Sequence, residues 1–197
     1  METTPIEDLM REHGLLNRVL IIYDECVNKI NNNHPLDIKI IYYAAIVIKT
    51  FIENYHEKTE ENYVFPLLKK YGKDIHLVDE LYKQHQIGRI FTNNIIKLSH
   101  MELLNNEQKI KLANYIRLFV KMYRYHESRE DTVIFQDFKN LLSKKDYMEL
   151  GEIFEKEEER VIGKNGYEKY LDIVVLLEKK LGIHDLSIIT HELKSFL

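Results

Sequence analysis

Two stretches of the chain spell nearly the same polar phrase: YHEKTEENYVF from Tyr55 to Phe65 and YHESREDTVIF from Tyr125 to Phe135. In each, a glutamate follows a histidine by four residues, Glu60 after His56 and Glu130 after His126. On a helix that spacing places both side chains on one face, a turn apart. An imidazole nitrogen and a carboxylate oxygen so placed can share a metal ion, or they can simply face water. The pattern alone is weak. Nine histidines in a chain this rich in glutamate should produce it roughly once by accident, and His76 with Glu80 is a third copy.

Selecting among the copies requires the elements that carry them. Three prolines and seven glycines in 197 residues leave little material for a turn-rich β fold. Thr4-Pro5 offers a helix cap, and helical periodicity then runs to about Ile30. After the polar break NNNHP (Asn31 to Pro35), a second helix is expected from about Asp37 to Phe65, where Pro66 should kink or stop it. Gly72 marks the next break, a third helix runs from about Asp74 to His100, and a cap at Asn105 or Asn106 starts a fourth that ends near Leu142. Ser143 to Leu197 reads as two or three shorter helices, broken near Gly163 to Gly166 and at Gly182. The pattern predicts an all-α protein, an antiparallel up-down-up-down four-helix bundle over residues 1–142, with a C-terminal helical extension over 143–197 packed on it.

Counting from the breaks sets the level of each histidine at ~1.5 Å per residue. His56 and His85 lie about 16 and 13 residues either side of Gly72, and His13 and His56 flank the first break at about 20 and 23. His85 and His126 match less well across the third break. His76 stands about two and a half turns from His85, outside the layer. The chain also repeats as a whole: His13 then His56 with Glu60, and His85 then His126 with Glu130, at separations of 43 and 41 residues.

Four imidazoles and two carboxylates gathered in one buried layer would be costly to desolvate and would leave polar atoms unpaired. A pair of transition-metal ions removes both problems. Imidazole and carboxylate ligation without thiolate suits iron or manganese, with zinc or copper possible by affinity. If both carboxylates bridge, each ion keeps about two of six positions open. Dioxygen, nitric oxide or peroxide could bind there.

Other classes are disfavoured. Charges are mixed along the chain and the net charge is −4, so a nucleic-acid partner has no electrostatic footprint. The most apolar run, Ile40 to Ile48, is too short to span a bilayer, and the first residues lack the pattern of a secretory signal, which makes a cytoplasmic location the expectation. Cys26 is the only cysteine; it excludes an intrachain disulfide and reads as a core residue.

The motifs together resemble the hemerythrin-like family of non-heme di-iron proteins, in its branch with four histidines and two glutamates. The likeness begins at LMREHGLLNRVLIIYDE, with His13, and continues through HEKTEENYVFP, KQHQIGR and HESREDTVIF. It extends into FEKEEERVIGKNGYEKYLDIVVLLEKKLGIHDL, so it covers most of the chain. The resemblance implies a pair of iron ions, oxo- or hydroxo-bridged, with manganese or zinc as alternatives, held by His13, His56, Glu60, His85, His126 and Glu130. It further implies O2, NO or peroxide as the small ligand, in binding, sensing or stress roles. Oxygen-carrying members have a fifth histidine where this chain has Arg89, which argues against reversible oxygen carriage. They also place an aspartate at the offset of Asp131, although Glu130 fits the internal symmetry better. Ferritin-like di-iron proteins use Glu-x-x-His, which Glu53 and His56 match once, whereas Tyr123 stands before His126.

Of the neighbours, Glu57 and Glu127 are expected to be solvent-exposed. Tyr82 and Tyr123 read as core tyrosines with the metals as an alternative, and Arg89 as either a carboxylate partner or a surface residue. His34, His76, His100, His184 and His191 are expected at the surface. The first functional reading is a binding or sensing module for O2, NO or iron. The second is a peroxide-consuming di-iron enzyme, and the third a metal-free interaction bundle.

Overall fold

The computed structural model describes residues 4–194, so the outermost three residues at each end of the expected spans lie outside the described part. Helix α1 (Pro5–Asn31) opens on a reciprocal cap. The Thr4 hydroxyl accepts from the Glu7 amide, and the Glu7 carboxylate accepts from the Thr4 amide. Helix α2 occupies residues 39–70, α3 Ile75–Ser99 and α4 residues 106–140. Asn105, rather than Asn106, caps α4 through a second reciprocal box with Gln108. Among the described residues there is no strand, as the sequence pattern anticipates.

Pro66 does not stop α2. Ahead of it, Glu60–Val64 is wound as π-helix, so that the Phe65 amide bonds the Glu60 carbonyl five residues back. Pro66 has no amide to give and its ring needs room, and a widened turn supplies that room without breaking the rod. The same device recurs in α4, where Glu130–Ile134 is π-helical and the Phe135 amide bonds the Glu130 carbonyl. A longer π-helical stretch, Ile48–His56, leads into the first of these in α2.

The four rods close a ring: α1 packs on α4, α4 on α3, α3 on α2 and α2 on α1. Helix α5 (Lys144–Ile162) is capped by Ser143, and α6 (Gly166–Leu181) ends at Gly182, whose positive φ closes the helix. Both lie across α1 and α2. Tyr170, Val174 and Leu177 of α6 join the bundle core, and the Arg18 guanidinium grips both oxygens of Glu178 at 2.8 and 2.6 Å. Helix α7 (Leu186–Lys194) follows. No helix among the described residues is long and apolar enough to cross a membrane.

The apolar interior falls into two clusters. One gathers Leu15, Val19, Phe51, Tyr55, Ile116, Phe119 and Tyr123 with their neighbours. The other gathers Leu9, Val64, Phe65, Leu81, Ile134, Phe135 and Phe154. Between them lies a buried polar layer.

Candidate metal centre

Each bundle helix delivers one histidine to that layer. His13 and His56 meet with their Nε2 atoms 3.0 Å apart, and His85 and His126 meet at 3.1 Å. The unequal distances from the third break do not separate the second pair. Glu60 sits between the pairs: Oε1 is 3.6 Å from His56 Nε2 and Oε2 is 3.5 Å from His85 Nε2. Glu130 mirrors it, with Oε2 3.1 Å from His126 and 3.4 Å from His13, and Oε1 3.9 Å from His85. All six residues are buried. They form two groups with metal-binding geometry, His13 with His56 and Glu60, and His85 with His126 and Glu130.

The other face of every ring is anchored. His13 Nδ1 lies 2.7 Å from Asp131, His56 Nδ1 2.6 Å from Glu12, His85 Nδ1 3.1 Å from Glu61 and His126 Nδ1 3.0 Å from Gln84. Each partner is an oxygen acceptor, so each Nδ1 carries the proton and each Nε2 is left with a lone pair. Two lone pairs facing each other at about 3 Å repel unless a cation lies between them. Metal ions or protons can fill that role.

Both oxygens of Glu60 and both of Glu130 are buried without a hydrogen-bond partner. Left ionised and unpaired, such groups cost several kcal/mol each. In the metal-free protein protons take up the strain: burial and the nearby Glu130 charge push Glu60 well above the usual carboxylate range. Burial opposes charge on His13, but Asp131 and Glu130 outweigh it and hold His13 well above its ordinary value. Burial, then the charge on His13, pushes His56 well below. The donor set of four imidazole nitrogens and four free carboxylate oxygens therefore fits a pair of cations.

A family model described as the hemerythrin HHE cation binding domain matches residues 4–106. The chain belongs to that family. Uncharacterized proteins of Mycobacterium tuberculosis and Mycobacterium bovis are each 37% identical to it over 185 residues, which cover 93% of this chain and 72% of theirs. No solved structure matches it. The match to the hemerythrin family model takes in His13, His56, Glu60 and His85; His126 and Glu130 lie beyond it and rest on the internal repeat.

The residues around the six depart from expectation in two respects. Glu57 and Glu127 are buried rather than solvent-exposed, because the neighbouring helices cover them. Arg89 pairs with both Glu57 (2.7 Å) and Glu61 (2.6 Å), and the Tyr123 hydroxyl donates to Glu57 at 2.5 Å. Across the pseudo-twofold, Asn17 takes the place of Arg89 and donates to Glu127. Tyr82, expected in the core, is instead exposed on the outer face of α3, whereas His34, His76, His100, His184 and His191 are exposed as expected. Asp131 binds a ring nitrogen rather than joining the central group. The four acceptors had a sequence signal: each adjoins one of the six, Glu12 before His13, Gln84 before His85, Glu61 after Glu60 and Asp131 after Glu130.

Proposed function

We propose that His13, His56, His85 and His126 give nitrogen ligands, and Glu60 and Glu130 bridging oxygens, to two iron ions, and that the protein binds or senses O2, NO or iron there. Manganese or zinc are the alternatives the donor set allows. The observation that carries the reading is the burial of four unpartnered carboxylate oxygens within reach of all four ring nitrogens. A bound iron pair supplies coordination positions open to a diatomic molecule or peroxide. The protein's own share is positioning. Asp131, Glu12, Glu61 and Gln84 hold the ring protons away from the centre, and Phe135 and Phe65 lie flat against His13 and His85. The protein would act in the cytoplasm, in the response to oxidative or nitrosative stress.

Elemental analysis after anaerobic loading with Fe(II) should give two ions per chain, and His126→Ala should lower that number. A near-ultraviolet spectrum that develops in air and reverses on evacuation would favour O2 binding over turnover. Wild-type protein that retains no stoichiometric metal would reject the reading.

A second reading, consumption of peroxide, draws on Glu127. Burial pushes its carboxyl up to about 8, so it keeps a proton at neutral pH in the field of His13 and Glu130. Oxygen evolution from hydrogen peroxide that falls in Glu127→Gln, with metal content unchanged, would favour turnover over binding.

A further inference from the structure

The two halves of the layer repeat in position but not in charge. His13 and His56 both donate to carboxylates, Asp131 at 2.7 Å and Glu12 at 2.6 Å. Among the described residues, neither carboxylate has a lysine or arginine within ion-pair distance. The other pair is held differently. His126 donates to the neutral amide of Gln84 at 3.0 Å. His85 donates to Glu61 at 3.1 Å, and the charge of Glu61 is already engaged by Arg89 at 2.6 Å and Lys58 at 2.5 Å.

A carboxylate accepting the Nδ1 proton makes the opposite ring nitrogen a stronger donor, and a neutral amide does so less. Arg89, paired with Glu57 and Glu61, offsets part of the negative charge that those carboxylates bring to this half. Both effects weaken the same half. The tail adds to the contrast: α5 and α6 lie across α1 and α2, where Glu12 is sealed from water, whereas Gln84 on α3 stays half-buried.

We propose that the two metal positions are inequivalent, the His13/His56 position binding its ion first and more tightly and the His85/His126 position second and more weakly, with Glu12 against Gln84 as the positioning residues that set the difference. The inference rests on the six-ligand centre proposed above. One consequence is that a half-loaded protein, with its second position vacant, is a populated state at low metal supply.

The test is titration of the metal-free full chain with Co(II), followed by calorimetry and by paramagnetically shifted proton signals of the four rings. Wild type should take up two ions in resolved steps, separated by about 10- to 100-fold in affinity beyond the statistical factor for equal sites. One equivalent should shift signals of His13 and His56 before those of His85 and His126. Gln84→Glu should tighten only the weaker step, and Glu12→Gln should loosen only the tighter one, each narrowing the gap. Gln84→Glu, at a half-buried position, carries the test independently should Glu12→Gln fail to fold, which circular dichroism reports.

Two ions bound in one undivided step, with both ring pairs shifted together by the first equivalent, would overturn the inequivalence and leave the di-metal centre standing. A gap unmoved by Gln84→Glu would remove the role of the acceptor pair. No stoichiometric uptake by wild type would overturn the centre itself, and this inference with it.

Discussion

The ring of Phe135 lies stacked on that of His13, with centroids 5.4 Å apart and planes 21° from parallel. Phe65 repeats the contact on His85 at 5.5 Å and 22°. In both phrases the phenylalanine follows the π-helical turn that begins at the central glutamate. One turn of backbone thus sets a carboxylate into the layer and a flat apolar lid against a ring of the other half. Phe135→Ala should cost about 3–5 kcal/mol in urea unfolding of the metal-free protein and should also weaken metal binding, by freeing His13 to turn. A stability loss with metal affinity unchanged would reduce the lid to ordinary packing.

Glu60→Gln separates metal binding from stability. The amide keeps the shape and replaces a buried carboxyl whose oxygens have no hydrogen-bond partner in the metal-free fold. The metal-free variant should melt no lower than wild type, yet lose most of the rise in melting temperature that metal gives wild type. Equal metal-induced rises in the two proteins would count against a ligand role for Glu60.

Stability of the metal-free protein should fall as pH rises. Burial, first among the causes in each case, lifts Asp8 to about 6, Glu12 to about 7 and Glu127 to about 8. The folded chain therefore holds these protons more tightly than the unfolded one, whose carboxyls titrate near about 4. Their contribution is full below that value and is lost as pH climbs through the folded values. Glu61 has the opposite sign: although burial opposes it, His85, Lys58 and Arg89 hold it at about 2, so its contribution fades only in more acid solution. His13, raised, and His56, lowered, pull against each other. The urea midpoint should be lower at about pH 8.5 than at about pH 5.5, and the reverse order would contradict this balance.

Gly88 is required by its neighbour rather than by its backbone. A Cβ there would lie 2.2 Å from the Tyr123 hydroxyl and 2.9 Å from the ring carbon that bears it. Gly88→Ala should cost about 1–3 kcal/mol, and adding Tyr123→Phe should recover part of that loss. A double variant no more stable than Gly88→Ala alone would place the strain elsewhere.

The long rods and their breaks were legible because each break carries its own chemistry: Thr4-Pro5, Asn105, Ser143 and the glycines at 72 and 182. The histidine layer was legible from rise per residue alone, since the error from tilt stays below one turn. Three features were not. Pro66 reads as a kink or a stop, because a π-helical turn leaves no mark in a single sequence. Glu57 and Glu127 looked exposed, because their burial depends on Arg89, Tyr123 and Asn17 arriving from other helices. The Nδ1 acceptors lie one residue from a ligand candidate, about 100° round the helix, where only the packing decides which neighbour they face.

The two hairpins are laced through each other: Asp131 steadies His13 from across the midline, and Glu61 steadies His85 in return. A nascent chain that has reached only Gly72 owns His13, His56 and Glu60 but lacks Asp131, which fixes the His13 ring, and Glu130. On the proposed reading, loading would be completed only after the closing rod has docked. In a cell starved of metal, the protein would wait as a completed shell, its protons standing in for the missing cations.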